Sequence, residues 1–242
     1  MPYLLELSSS GGPGHPSPQA VRNDNSQPTR SSGSIVSPLC RAKANDSKAQ
    51  AEEEALLADA GGIIDDQTLQ SINDRTFMAV APEIGRLIYL LVRSRRPALV
   101  VEFGTSFGLS AIHIASGLRD NCFGHLITTE QSAAKASRAA VHIEQAGLSD
   151  LVEIRRGDAF QTLSEVKGVD LLLLDGWKPL YLTLLKQLEP ALTPGCLIIA
   201  DDVISLSAKV APYLAYVRDA ASGYVSCEIP LDDGLELSIR SA

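Results

Sequence analysis

The sequence predicts an α/β fold, in which helices cover both faces of a mostly parallel β-sheet. Short apolar runs alternate with helical segments beyond Pro97, and nearly every run ends on an acidic residue. Parallel strands are buried on both faces, so they are expected to be almost continuously apolar rather than alternating. The last two runs, GYVSCEIP and LELSIR, are close enough in sequence to form an antiparallel pair at a sheet edge.

The elements can be placed in order along the chain. A helical segment near residues 67–95 has apolar residues at helical spacing, namely Val80, Ile84, Leu87, Ile88 and Leu91. Strands are then predicted at ALVVEF, HLITTE, LVEIRRG, VDLLLLD and CLIIADD, the last of them after a turn at Pro194 and Gly195. Helices are predicted between them at LSAIHIASGL, SAAKASRAAVHIEQAG, AFQTLSEV and PLYLTLLKQLEPAL.

The amino-acid composition divides the chain into an N-terminal tail and one domain. Residues 1–50 are rich in Ser, Gly, Pro, Asn and Gln. We expect them to form a disordered tail, because such a segment buries too little apolar surface to offset its ordering entropy. Residues 51–242 are predicted to form one domain. Hydrophobic residues make up 45% of the 242-residue chain, which is enough to fill one sizeable core.

Net charge, hydropathy and cysteine usage limit the partners and the cellular location that we expect. The formal net charge of -8 disfavours a nucleic-acid partner, which would require a basic face. No apolar run reaches the roughly 18 residues of a membrane helix, and the N-terminus lacks the features of a secretory signal. The four cysteines form no CxxC pair and are interpreted as reduced thiols. We therefore expect a soluble cytoplasmic protein with no membrane or nucleic-acid partner.

Acidic residues stand where the predicted strands end. They are Glu102, Glu130, Asp158, Asp175, Asp201 and Asp202. Ligands of open α/β sheets bind beyond the carboxyl ends of the strands, so these residues are candidates for a site. Solubilising strand ends would be chemically varied, whereas a uniformly acidic set favours a cationic ligand or a metal ion.

The stretch VVEFGTSFGLS forms a glycine loop between the first strand and the next helix. Gly104 and Gly108 allow a tight turn and a close approach of the backbone to a ligand. The loop lacks the GxGxxG pattern of dinucleotide binding. Glu102 would repel a phosphate but suits an ammonium group, and Glu130 is placed to bind ribose hydroxyls. S-adenosylmethionine has this combination of groups; the alternative is a glycine-rich turn that binds nothing.

Several other residues have two interpretations that the sequence leaves open. Asp158 either accepts a hydrogen bond from an adenine amino group or caps the following helix. The basic residues at positions 93–96 either steer an anionic substrate or form a solvated helix end. His113 and His142 lie in predicted helices and are interpreted as packing or surface residues. The aromatic residues Trp177, Tyr181 and Phe107 are expected near the site.

Four motifs together resemble a known family. VVEFGTSFGLSAIHIA, LLLLDGWKPLY, LIIADDV and DGLELSIR are similar to the metal-dependent class I S-adenosylmethionine O-methyltransferases, which include the catechol and caffeoyl-CoA O-methyltransferases. The resemblance extends from about residue 66 to the C-terminus. It implies a Rossmann-like fold with a seven-stranded sheet and an antiparallel C-terminal strand. It also implies a homodimer.

The resemblance assigns the cofactor residues. It implies that the methionine part of S-adenosylmethionine is held by Val80 and by the loop residues Glu102, Gly104, Ser106, Gly108 and Ser110. Glu130 would bind the ribose. Asp175 and Trp177 would line the same pocket, with Trp177 on the adenine side.

The resemblance also assigns a metal and a base. Asp175, Asp201 and Asp202 would bind Mg²⁺ or another divalent cation through oxygen ligands. Lys178 would be the general base that deprotonates a small acceptor of the vicinal-diphenol type, which requires a depressed lysine pKa. Two open alternatives are a metal-independent small-molecule methyltransferase and a cofactor-binding protein without catalysis.

The chain departs from the family at two positions. The family usually has an Asp-Asn pair where this chain has Asp201 and Asp202. A third carboxylate suits Mg²⁺ but would weaken the pull of the metal on a phenolate. The acidic residue that contacts the substrate in the catechol enzyme has no clear match, since Cys227 lies nearest, with Glu228 beside it. The identity of the acceptor therefore stays open.

Overall fold

The structure is a computed structural model that describes residues 80–241. All of them belong to one compact unit. The predicted tail over residues 1–50, and the part of the predicted helical segment before Val80, lie outside the described residues. Between residues 80 and 241, the structure contains no helix with the length and apolar character needed to cross a bilayer.

Seven strands form one mixed sheet in the order β3-β2-β1-β4-β5-β7-β6. Their bounds are β1 Leu99–Phe103, β2 His125–Glu130, β3 Val152–Arg156, β4 Val169–Leu174, β5 Leu192–Ala200, β6 Tyr224–Ile229 and β7 Leu235–Arg240. Neighbouring strands from β3 to β5 pair in parallel, whereas β7 is antiparallel to both β5 and β6. The predicted α/β class and the antiparallel C-terminal strands are confirmed.

Six α-helices connect the strands in the described part of the chain. They are α1 Pro82–Arg95, α2 Leu109–Asn121, α3 Ala133–Gln145, α4 Ala159–Thr162, α5 Tyr181–Leu188 and α6 Ser207–Val217. Helix α1 has proline in its first turn and ends two residues before Pro97, as expected because the residue before a proline disfavours the α conformation. Helix α3 begins after Ser132, whose side chain accepts a hydrogen bond from the Lys135 amide.

The four leucines of β4 explain how the sheet is buried. All four are 0% exposed. Leu171 and Leu173 pack in the core cluster that contains α1, α2 and α3, whereas Leu172 and Leu174 pack in the cluster that contains α5 and α6. A strand with an apolar layer on each face needs apolar residues at every position, so this run is continuous rather than alternating.

Two local predictions were wrong, and one helix was not predicted. Strand β5 begins at Leu192, so Pro194 and Gly195 lie within it rather than in a turn before it. The predicted helix AFQTLSEV is reduced to the single turn of α4. Helix α6 was not predicted, because Pro212 lies inside it and proline normally breaks a helix interior.

Candidate functional site

The carboxyl ends of β2, β1, β4 and β5 meet at one edge of the sheet. The backbone pairing continues one residue beyond β4 and β5, because the Asp175 amide donates to the Phe103 carbonyl at 2.9 Å and the Asp201 amide donates to the Leu174 carbonyl at 3.0 Å. Asp175 and Asp201 therefore begin two neighbouring loops. The sheet brings acidic side chains together as the strand order predicts.

The glycine loop packs directly against the start of the Asp175 loop. A Cβ atom on Gly104 would lie 2.5 Å from the Asp175 carbonyl oxygen, and the φ of Gly104 is +103°. Both facts require glycine at this position. The amides of Gly104 and Thr105 donate to the Thr129 carbonyl at 3.2 and 3.1 Å, which ties the loop to the end of β2.

Glu102 is fully buried beside this loop. Its Oε2 accepts a hydrogen bond of 2.5 Å from the Thr128 hydroxyl, while its Oε1 is buried and has no hydrogen-bond partner. Burial raises the pKa of Glu102 to about 7, although Ser110 and Thr128 act in the opposite direction. A buried carboxylate oxygen without a partner is costly, so a cationic group of a ligand would be stabilised there.

Glu130 joins the glycine loop to α3. Its Oε2 accepts a hydrogen bond from the Ser106 amide at 2.8 Å, and its Oε1 accepts one from the Ser132 amide at 2.9 Å. Each carboxylate oxygen has two acceptor positions, so this geometry still leaves acceptor positions for ribose hydroxyls. The backbone bonds give Glu130 a structural role that the sequence did not indicate.

The remaining predicted cofactor residues lie in different surroundings. Val80 is buried in the core cluster with α1 and α2, so its side chain is not open to a ligand. Ser110 is buried in the first turn of α2. Asp158 caps α4 by accepting a hydrogen bond from the Phe160 amide at 2.9 Å, which is the alternative that the sequence left open.

Lys178 forms ion pairs with two of the three predicted metal ligands. Its Nζ lies 2.7 Å from Asp202 Oδ2 and 3.3 Å from Asp175 Oδ1. Asp201, which is also buried, uses its Oδ1 to accept a hydrogen bond from the Asp202 amide at 2.9 Å. The backbone of Asp202 is left-handed with φ +62°, which asparagine and aspartate adopt more easily than most residues.

The pKa shifts in this cluster follow from burial and from three carboxylates around one ammonium. Burial, together with Asp175 and Asp202, raises the pKa of Asp201 to about 8. Burial raises the pKa of Asp175 to about 6, although Lys178 opposes the shift. Burial would lower the pKa of Lys178, but its acidic neighbours, Asp175 first, raise it well above the usual range. The lowering expected of a general base depends on a nearby cation, so it stays a prediction for the state in which these ion pairs are replaced.

The carboxylate oxygens of the cluster are suitable ligands for a divalent cation, but their present arrangement is not that of a metal site. Two aspartates share a single ammonium and a third, Asp201, is buried beside them, so acidic groups outnumber basic ones in this cluster. Oxygen ligands of this kind suit Mg²⁺. Within residues 80–241, however, no three acidic, histidine or cysteine side chains converge on one point in a metal-binding arrangement. Lys178 Nζ stands between Asp175 and Asp202 instead.

Two of the three aromatic residues expected near the site are inaccessible. Tyr181 and Phe107 are buried, and the Tyr181 ring packs edge-on against Phe103 and Tyr213. Trp177 is 56% exposed, and the Nζ of Lys209 lies 5.9 Å from its ring centroid. Trp177 is therefore the aromatic side chain of the three that a ligand can contact.

The basic residues at positions 93–96 lie at the opposite edge of the sheet. Arg95 and Arg96 line a pocket of about 280 Å³ with Pro97 and Asp170, next to the amino ends of β1 and β4. Arg95 donates to the Gly195 carbonyl, and Arg96 donates to the Asn121 carbonyl at 3.1 Å. They form a structured helix end, as one of the two interpretations of these residues expected.

The residues nearest to the acidic position of the catechol enzyme lie on the edge strand β6. Cys227 is exposed there, and Glu228 forms an ion pair of 2.8 Å with Arg218. In the sheet, β7 separates β6 from β5. Glu228 is level with Ala200 at the end of β5 but two strands away from it, and its carboxylate is paired with Arg218.

Two contacts at the site were not indicated by the sequence. His142 of α3 approaches the glycine loop, with Nδ1 2.9 Å from the Phe107 carbonyl oxygen. The Tyr181 hydroxyl donates to the Asp201 carbonyl at 3.4 Å. The two contacts join residues 35 and 20 positions apart in sequence. His142 lies in none of the four motifs, and Tyr181 is the last residue of LLLLDGWKPLY.

The close approach at Gly104 gives a first prediction. Gly104→Ala is expected to lower the free energy of unfolding by about 2 kcal/mol, because the new Cβ meets the Asp175 backbone and the φ is unfavourable for alanine. Urea denaturation measures the change. Gly168→Ala is the control, since Gly168 also has a positive φ but nothing lies within 4 Å of its added Cβ. Equal losses in the two variants would contradict the close approach.

Comparisons with known proteins agree with this geometry. A family model described as a methyltransferase domain matches residues 101–203. The catechol O-methyltransferase of Niastella koreensis is 32% identical over 158 residues, which cover 61% of this chain and 71% of that enzyme. Catechol O-methyltransferase B of Danio rerio is 34% identical over 177 residues, which cover 67% of this chain and 65% of that enzyme.

A solved structure shows the same fold. The crystal structure of an O-methyltransferase from Bacillus cereus in complex with SAH aligns with a TM-score of 0.62 at 23% identity. The alignment covers 83% of this chain and 100% of that chain. The Rossmann-like arrangement predicted from the motifs is therefore confirmed.

Proposed function

Because the chain belongs to the catechol O-methyltransferase family and is an O-methyltransferase, we propose that it methylates a small acceptor with two adjacent phenolic hydroxyls. The methyl donor is S-adenosylmethionine, and a divalent cation assists the reaction. The observation that carries the proposal is the cluster of Asp175, Lys178, Asp201 and Asp202 beside the glycine loop. A cytoplasmic location and a homodimer, both expected from the sequence, stay predictions.

The glycine loop supports S-adenosylmethionine as the donor. The partnerless Oε1 of Glu102 offers a site for the ammonium of the methionine part. Glu130, at the end of β2, lies beside the loop and retains acceptor positions for the ribose hydroxyls. The relative from Bacillus cereus was crystallised with SAH, the product form of this donor.

The chemical step is an in-line displacement. The acceptor oxygen forms a bond to the methyl carbon while the carbon–sulfur bond of the sulfonium breaks, which gives a methyl ether and S-adenosylhomocysteine. A divalent cation held by Asp175, Asp201 and Asp202 would supply Lewis acidity that lowers the pKa of the acceptor hydroxyls. Trp177, the exposed aromatic ring at this edge, is proposed to line the adenine side of the cofactor pocket.

Lys178 is the proposed destination of the hydroxyl proton. Its side chain is only 10% exposed, and its Nζ lies between Asp175 and Asp202. While Lys178 is paired with Asp175 and Asp202, its ammonium keeps its proton. Lys178 can act as a base only after another cation replaces it as the partner of these aspartates. The position of Nζ at the cluster, rather than its present pKa, supports this role.

The test is methyl transfer from S-adenosylmethionine to a panel of vicinal diphenols and matched monophenols. Each acceptor is assayed with Mg²⁺, with EDTA, and with Mg²⁺ restored. We expect turnover on the diphenols that EDTA abolishes and Mg²⁺ restores, with little turnover on the monophenols.

The other outcomes separate the remaining interpretations. Turnover that EDTA does not affect would exclude the metal mechanism and leave a metal-independent methyltransferase. Turnover on monophenols alone would exclude the vicinal-diphenol acceptor. If the protein bound S-adenosylmethionine in calorimetry but methylated no acceptor, the non-catalytic alternative would stand.

The second aspartate of the pair gives another prediction. Asp202→Asn is expected to weaken Mg²⁺ binding about tenfold, because one anionic ligand becomes a neutral amide. At saturating Mg²⁺ the variant is expected to retain kcat or to exceed the wild type, because the metal site carries less negative charge. Titration of activity with Mg²⁺ separates the two effects, and Asp233→Asn is the control. An unchanged Mg²⁺ dependence would remove Asp202 from the metal site.

A further inference from the structure

We propose that His142 is a positioning residue for the cofactor loop, in which its hydrogen bond to the Phe107 carbonyl holds residues 104–108 in the shape that receives S-adenosylmethionine. The inference rests on the proposed function, since it takes S-adenosylmethionine as the ligand of this loop. His142 belongs to α3, so it acts on the site from a neighbouring element rather than from the loop itself.

The loop contains a backbone conformation that needs support. Ser106 has φ +46°, a left-handed value that is unfavourable for a residue other than glycine. Such a conformation persists only where the surroundings hold it. On one side, the Ser106 amide donates to Glu130 Oε2 at 2.8 Å. On the other side, the Phe107 carbonyl accepts from His142 Nδ1 at 2.9 Å.

One face of α3 forms the support. A Cβ atom on Gly108 would lie 3.2 Å from the Ala139 Cβ, so the loop and the helix are in close contact. The Phe107 ring is buried, with the Arg138 guanidinium carbon 5.5 Å from its centroid. Residues 138 and 139 precede His142 by four and three positions, so each of them is a neighbour of His142 on the helix surface. Among them, His142 provides a directional bond to the loop backbone.

The chemistry of this bond defines which substitutions preserve it. A carbonyl oxygen only accepts, so the proton is assigned to Nδ1 of His142. Both the neutral Nδ1–H tautomer and the imidazolium donate in this way, so the role requires a donor rather than a charge. Asparagine offers an N–H donor on a shorter side chain, whereas leucine fills similar space without one.

The test compares His142→Leu and His142→Asn with the wild type. Calorimetry with S-adenosylmethionine gives Kd, steady-state kinetics give KM and kcat, and thermal unfolding gives Tm. For His142→Leu we expect Kd and KM for S-adenosylmethionine to rise about 3- to 10-fold, the range for one lost hydrogen bond. We expect kcat at saturating donor to stay within about twofold, because the reacting groups are untouched. His142→Asn is expected to recover most of the affinity.

His125→Leu is the matched control, because His125 begins β2 at the opposite edge of the sheet. It is expected to leave the affinity unchanged. The positioning role would be overturned if His142→Leu bound the donor as tightly as the wild type, or if His142→Asn bound as weakly as His142→Leu. A fall in kcat and Tm without a change in Kd would also overturn it. A wild-type protein that bound no S-adenosylmethionine would instead overturn the proposed function itself.

Discussion

Lys178→Arg is expected to lower kcat about 10²- to 10⁴-fold, the usual contribution of a positioned general base. Arginine keeps a positive charge beside Asp175 and Asp202, but a guanidinium does not lose its proton in proteins. The variant therefore separates the counter-ion role of Lys178 from its role as a base. The measurement is kcat at saturating S-adenosylmethionine, diphenol and Mg²⁺.

Two further variants complete this test. Lys186→Arg makes the same change on α5, where Lys186 lies over the Tyr216 ring, and is expected to leave kcat unchanged. Lys178→Met removes the charge and is expected to lower the Tm as well, because it leaves Asp175 and Asp202 without the ammonium. If Lys178→Arg kept kcat within about threefold of the wild type, Lys178 would be a counter-ion and the base would have to be another group.

The fold and the location of the site were predictable because they depend on simple patterns. A run of four leucines predicts a strand with both faces covered, and β4 is such a strand. Parallel strands then bring their carboxyl ends to one edge, so Asp175 and Asp201 had to be neighbours. The same rule placed the glycine loop beside them. None of these steps requires knowledge of side-chain orientation.

The errors concern contacts that depend on three-dimensional packing. Nothing in a linear sequence indicates that His142 reaches the Phe107 carbonyl, since 35 residues separate them. Tyr181 does lie at the site, with Lys178 Nζ 5.4 Å from its ring centroid, but only the packing shows that the ring is buried against Phe103 and Tyr213. The pKa of Lys178 likewise depends on the distance between its Nζ and the Asp202 carboxylate. The sequence shows that Asp202 follows Asp201 but does not indicate that distance.

Glu102→Gln is expected to stabilise the protein above pH 7 by about 3 kcal/mol relative to the wild type. Burial raises the pKa of Glu102 to about 7, above the value near 4.5 that holds in the unfolded chain. The folded state therefore binds the proton more tightly. The contribution of Glu102 to the stability of the wild type is therefore most favourable below pH 4.5. It falls as the pH rises to 7 and is constant above pH 7. Glutamine carries no charge, so this loss is absent in the variant.

The measurement is urea denaturation of both proteins from pH 4.5 to 8.5, and the informative quantity is their difference in free energy at each pH. That difference is expected to grow up to pH 7 and then level off, whereas exposed Glu144→Gln should show no such growth. A difference that did not vary with pH would mean that Glu102 is ionised throughout.

The same proton links the stability of the site to its ligand. An ammonium placed at Glu102 Oε1 favours the ionised carboxylate, so binding of S-adenosylmethionine should release a proton below pH 7. Its Kd should then fall up to tenfold per pH unit as the pH approaches 7, and Glu102→Gln should bind weakly at every pH. Ionised Glu102 would thus destabilise the free protein at neutral pH and yet contribute to binding. The reason is that the ammonium of S-adenosylmethionine supplies the positive charge that this buried carboxylate would pair with.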